Sequence, residues 1–283
     1  MSTDLAALRP ARLMGGAVRY GVVGFATVVV GYPVLWMLLQ SFKTKFELYS
    51  NIWGLPQQLF VDNYVQAWRI ARMGTYILNS VIVSVGTVAV VLVVASLAGY
   101  AFAKLRFPGR DVLFYTFVFT LIVPVQVTII PLYAVVSGLG LSNTYFALIL
   151  PYAAAGLPLS IFLLRAFFAS VPREIEEAAR IDGCSELAAF WRVVLPISGP
   201  GLATVTILQF LGAWNEFLLA LIFIRNPALR TIPLGLQAFF FEYSVEWGYL
   251  FAALAMATVP VIVVYVVMQR QFIKGLTAGA VTG

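Results

Sequence analysis

The chain has 283 residues, of which 61% are hydrophobic and only 11% charged, with a net charge of +6. An ordinary soluble domain carries about 25% charged residues, so this chain has too few to cover a water-facing surface. It has no histidine and one cysteine, Cys184, which excludes histidine-ligated zinc chemistry, histidine-based catalytic triads and an internal disulfide.

Six apolar segments, free or nearly free of charge, lie at 20–39, 77–103, 112–136, 145–164, 201–224 and 249–268. Each is long enough to cross ~30 Å of hydrocarbon as a helix. The pattern predicts an all-α polytopic membrane protein with six transmembrane helices, a single transmembrane domain over 1–283, and an N-terminal tail at 1–19. The first segment exceeds a signal-peptide core of about 7–15 residues and no small-residue cleavage site follows, so it is predicted to be retained. The loop at 41–76 carries Trp53 and Trp68, and the loop at 225–248 carries Trp247, as expected of aromatic anchors at a membrane interface.

No charge occurs between Asp111 and Arg165, and SGLGLSN at 137–143 supplies a turn, so this stretch reads as two spans. Pro124, Pro131, Pro151, Pro158 and Pro260 fall inside predicted spans, where each removes a backbone hydrogen bond and kinks its helix.

VPREIEEAARIDG at 171–183 reads as a short helix with both ends marked. Pro172 suits the first turn, acidic residues follow, and Gly183 suits the stop. Glu176 and Arg180 stand i, i+4 in the favourable order. Ile175, Ala178, Ala179 and Asp182 fall near one face, kept small by the alanines. Ser185 can cap a second helix, SELAAFWRVV, which should stop before Pro196. Such a knob is either a solvated loop or a surface that docks into a groove of another protein.

Glu216 is the one acidic residue inside a predicted span. A mid-bilayer carboxylate costs at least ~2.5–3.5 kcal/mol, so it should face a cavity or a partner. With Asn215 it is a candidate for the substrate path; a structural hydrogen bond to a neighbouring helix is the other reading. Gln126, Gln209, Asn79 and Ser84 raise the same question more weakly.

With the N-terminus inside, the inner segments hold twelve Lys and Arg and the outer segments six. The positive-inside rule then places both termini and the 172–196 loop in the cytoplasm of a plasma or inner-membrane protein. Membrane topology accounts for the basic charge without nucleic acid.

Glu177-Ala178-Ala179, three residues, Gly183, nine residues, then Val193-Val194-Leu195-Pro196 resembles the EAA loop of binding-protein-dependent ABC importer permeases. Val193 replaces a frequent isoleucine. GLTAGAVTG at 275–283 resembles the tail of the second permease subunit of maltose-type importers, and WNEF at 214–217 is similar to carbohydrate-importer permeases. The resemblance implies that the loop at 172–196 is a coupling helix seated in an ATPase subunit. Glu177, Ala178, Ala179, Asp182 and Gly183 would form that joint. It also implies that the tail, with Gly275, Leu276, Thr277, Ala278 and Gly279, contacts the ATPase subunits. The implied partners are a second permease, a dimer of ATP-binding subunits and an extracytoplasmic substrate-binding protein. No G-x-x-x-x-G-K-[ST] phosphate loop occurs, so ATP and Mg are expected in the partner and no cofactor in this chain. The implied function is import of a sugar or oligosaccharide by alternating access, with glycerol phosphate or another polyol as the alternative. An ion-gradient carrier would need more intramembrane ionisable groups and internal repeats. A membrane enzyme would need a catalytic cluster.

Overall fold

The computed structural model describes residues 4–241 and 244–280, with side chains for 19–240 and 245–271. The helices are α1 (Asp4–Gln40), α2 (Lys45–Ser50), α3 (Asp62–Ile70), α4 (Met73–Lys104), α5 (Arg110–Thr120), α6 (Ile129–Gly138) and α7 (Phe146–Ser170). There follow α8 (Arg173–Ile181), α9 (Glu186–Ala189), α10 (Leu195–Ile197), α11 (Gly199–Asn215), α12 (Leu218–Phe223), α13 (Ile232–Gly235) and α14 (Trp247–Ala280). A minimal antiparallel ribbon, β1 (Phe240–Phe241) with β2 (Ser244–Val245), precedes α14.

Among the described residues, four stretches are long and apolar enough to cross a membrane: Arg19–Gln40, Met73–Lys104, Phe146–Ser170 and Trp247–Gln271. The two remaining predicted spans are not straight. Within 112–136, Arg110–Thr120 and Val125–Gly138 meet at 93°; a second bend of 76°, between Glu186–Ile197 and Gly199–Asn215, lies just before the predicted span at 201–224. The first break lies at Pro124, which has extended backbone and no N–H to continue a helix. Pro151, Pro158 and Pro260, by contrast, stay inside continuous helices. The predicted span at 201–224 also breaks, at Glu216 and Phe217 between α11 and α12.

The chain folds as two compact units. One holds the chain up to Arg69 with Phe239–Met256, the other Ile70–Ala238 with the chain from Ala257. In the first, Thr44 caps α2 and Glu47 returns the bond to the Thr44 backbone. Gln57 N–H donates to Glu47 as well (2.8 Å), and these backbone donors hold the carboxyl below its usual pKa. Lys43 is buried and donates to the carbonyls of Asn51 (2.6 Å) and Ile52 (3.1 Å). Burial lowers its pKa, against the pull of Glu47. Trp53 and Trp68 are exposed, as interface anchors require.

In the second unit α4, α7 and α11 pack together. At Gly99 α4 comes so close to α7 that a Cβ would stand 3.1 Å from the Arg165 nitrogen. One apolar cluster joins Tyr100, Phe168, Phe190 and Val194 near the C-terminal ends of α4 and α7. Another joins Val83, Leu148, Tyr152 and Phe223 towards their other ends. At that far end Asn79 donates to the carbonyls of Ala228 and Arg230 and accepts from Tyr145 (2.7 Å). Asn79 is thus structural.

Candidate functional site

Two places in the second unit carry chemistry: the charged knob after α7, and the break after α11. In the knob, Pro172 sits at the N-cap of α8, and Gly183 ends it with φ +86°, a left-handed conformation that suits glycine. The Cys184 N–H reaches the Ala179 carbonyl (2.9 Å) and the Gly183 N–H the Arg180 carbonyl (3.0 Å), closing the helix end. Ser185 caps α9 as expected, its hydroxyl accepting from Ala188 N–H (3.3 Å). The second helix does not stop before Pro196. It widens into a π-turn at Phe190–Val194 and continues as α10. Leu195 N–H bonds the Phe190 carbonyl, five residues back, and this wider turn lets the chain carry the proline.

Two expectations about the knob are corrected by its packing. Glu176 does not pair with Arg180. It is buried and its Oε1 lies 2.6 Å from Lys104 Nζ, while Arg180 binds Glu186 at 2.9 Å. Burying the Glu176 face against α4 outweighs the weak i, i+4 attraction, worth about 0.2–0.5 kcal/mol. Ala179 is 7% exposed, so the close approach it allows is to its own chain. The exposed residues of the knob include Arg173, Glu174, Glu177, Ala178, Arg180, Ile181, Asp182 and Gly183, with Ile181 86% exposed.

Behind the knob, the Lys104 ammonium also donates to the Val171 carbonyl (2.6 Å), and the Tyr100 hydroxyl donates to Glu176 Oε2 (3.3 Å). The side chains of Lys104 and Glu176 are only 5% and 7% exposed. Removing one partner of such a buried pair costs about 3–5 kcal/mol, because the other charge is left without compensation.

At the second place, the backbone turns out of α11 at Glu216. Its carboxylate accepts from the backbone N–H groups of Leu219 (2.8 Å) and Ala220 (3.2 Å), and from the Tyr152 hydroxyl (2.6 Å). The side chain therefore starts α12 and ties it to α7. Glu216 also lines a cleft of about 490 Å³ with Thr87, Gln126, Tyr152 and Gln209. Gln209 Nε2 is held by the Gly156 carbonyl (3.3 Å) and the Ser160 hydroxyl (3.1 Å). Thr87 Oγ1 is buried without a hydrogen bond among the described residues. Asn215 is not part of this lining; it faces outward and donates to the Leu211 carbonyl of its own helix (2.9 Å). Tyr152, Thr87 and Lys104 were not singled out as site residues from the sequence, since nothing local marks them.

A family model described as "Binding-protein-dependent transport system inner membrane component" matches residues 92–277. The chain belongs to this family. The match begins inside α4 and takes in the knob and the lining of the cleft except Thr87. It is 39% identical to the probable ABC transporter permease protein YurM of Bacillus subtilis, over 90% of this chain and 85% of that one. It is 38% identical to the diacetylchitobiose uptake system permease protein NgcG of Streptomyces coelicolor, over 93% and 88% of the two chains. It is 36% identical to the arabinooligosaccharides transport system permease protein AraQ of Halalkalibacterium halodurans, over 92% and 95%. Its fold matches a chain from the crystal structure of a bacterial ABC transporter involved in import of the acidic polysaccharide alginate. The TM-score is 0.81 at 24% identity, covering 93% of this chain and 98% of that one. The tail residues Gly275, Leu276, Thr277, Ala278 and Gly279 lie on the backbone of α14, and their side chains, with residues 281–283, are outside the described residues.

Proposed function

We propose that this permease is one of two membrane subunits of an ATP-driven importer for a sugar or oligosaccharide, and that it works by alternating access. Its partners are a second permease, two ATP-binding subunits that hold ATP and Mg, and an external substrate-binding protein. The chain lies in the plasma or inner membrane as one transmembrane domain, with both termini in the cytoplasm. The α8 knob docks in a cleft of an ATP-binding subunit through Glu177, Ala178, Asp182 and Gly183, and the C-terminal tail from Gly275 adds contacts there. The observation that carries this reading is a short helix held rigidly from behind by a buried ion pair while its outward face, with Ile181, is left open. Rigid-body movement of such an element is a known way of transmitting a switch.

The names of the relatives favour saccharide import. The cleft supports an uncharged ligand over a phosphorylated one. Its lining holds one carboxylate, Glu216, and no lysine or arginine among the described residues. An anion there would meet repulsion without a compensating cation.

The test is the complex reconstituted in vesicles with its binding protein. Sugar-loaded binding protein should raise ATP hydrolysis and drive uptake. Glu177→Ala keeps the helix, since alanine is the best helix former. It should assemble yet lose most of the stimulation. Full stimulation and uptake in this variant would mean that the knob is a passive solvated loop.

A further inference from the structure

The Lys104–Glu176 pair does more than fill a core. Glu176 stands on α8, Lys104 is the last residue of α4, and Val171, whose carbonyl accepts from the same ammonium, caps the end of α7. Tyr100, one turn earlier on α4, holds the second carboxylate oxygen. One ammonium and one carboxylate thus tie together the knob and the ends of the two long helices at the centre of this unit. Around them Tyr100, Phe168 and Phe190 pack ring against ring, with centroids 4.8–6.1 Å apart. Both charged side chains are largely buried, at 5% and 7% exposed, so water competes poorly for the ion pair when the knob is pulled.

We infer that Lys104 and Glu176 are the positioning residues that convert movement of α8 into movement of α4 and α7 as one rigid body. This rests on the coupling reading above and deepens it. Of the two adjacent acids in the motif, Glu177 faces the partner, and Glu176 faces inward and holds the lever to the helices. Such a lever requires that α8 keep its distance from α4 while both move relative to the rest of the assembly.

The experiment uses the whole reconstituted complex. In a Cys184→Ser background, spin labels are placed at Arg173→Cys, in the first turn of α8, and at Val85→Cys, an exposed position on α4. Electron–electron distances are measured without nucleotide and after trapping with ATP and vanadate. The Arg173–Val85 distance should stay within about 1 Å, although one-element shifts of about 1–2 Å or more are usual in switching proteins. In the double variant Lys104→Met/Glu176→Met no orphan charge is left, so the complex should still form, but the distance should broaden and drift on trapping. Uptake per ATP hydrolysed should then fall on the order of 5-fold or more. A shift of several ångströms in the wild type, or wild-type uptake per ATP in the double variant, would overturn the inference. Should the double variant not assemble, the wild-type distances still decide. A wild-type complex without ATP-driven sugar uptake refutes the functional reading itself, a result separate from either distance outcome.

Discussion

A carboxylate near the middle of an apolar chain is expensive unless its charge is met. Glu216 meets it with three donors, two backbone N–H groups at the start of α12 and the Tyr152 hydroxyl. Those backbone groups would otherwise be unpaired at a helix start. Glu216 is therefore first a joint between α11, α12 and α7, and only its remaining surface faces the cleft. Hydrogen bonds to a charged group are worth about 1.5–3 kcal/mol. Tyr152→Phe should lower the melting temperature of the complex by removing one of them, with uptake per assembled complex kept within about twofold. Glu216→Gln weakens all three and should cost more stability, so assembly and uptake fall together. Thermal unfolding beside uptake, both normalised to assembled complex, checks this. A fully assembled Tyr152→Phe complex without uptake would instead place that hydroxyl on the substrate.

Among the elements, α8 was the most legible in the sequence. Pro172 and Gly183 mark its ends by local backbone chemistry alone, and the structure ends it where they do. The long spans were legible for the same reason, since length and hydropathy are summed over many residues. What was not legible depended on distant neighbours. Arg180 is the nearest cation to Glu176 along the helix, but the buried partner is Lys104 at the end of α4. Prolines were visible in five places, yet only packing decides that Pro124 starts a sharp break and Pro151 lies within a continuous helix. The same contrast yields a test of α8. With φ at +86°, Gly183→Val forces a β-branched residue into left-handed backbone at a cost of roughly 1–2 kcal/mol. Gly183→Asn should be tolerated better, because asparagine enters this region several-fold more readily. The expected order of ATPase stimulation by loaded binding protein is glycine, then asparagine, then valine. An equal response from all three would show that the turn is not under load.

At the scale of the whole chain, the second unit carries the contacts and charges that bear on orientation in the bilayer. Asn79 near the start of α4 binds the carbonyls of Ala228 and Arg230, and Asn143 Oδ1 accepts from the N–H groups of Arg225 and Asn226. The loops around 143 and 225–230 are therefore gathered at one end. Lys104, at the other end of α4, gathers Val171 and Glu176. Asn79 and Lys104 lie on one continuous helix, about 38 Å apart at 1.5 Å per residue, more than a hydrocarbon core of ~30 Å. The two ends must then face opposite sides of the membrane. The Lys104 end carries Arg106, Arg110, Arg165, Arg173, Arg180 and Arg192 close along the chain, and the other end has Arg72, Arg225 and Arg230. The excess of positive charge at the Lys104 end favours the cytoplasmic placement proposed above for that end. With Cys184→Ser as background, single cysteines at Ser142 and Gln237 should react with an impermeant maleimide in intact cells. A cysteine at Ser185 should react only after the membrane is opened. Labelling of Ser185→Cys from outside, with Ser142→Cys protected, would invert the chain and detach the knob from any cytoplasmic ATPase.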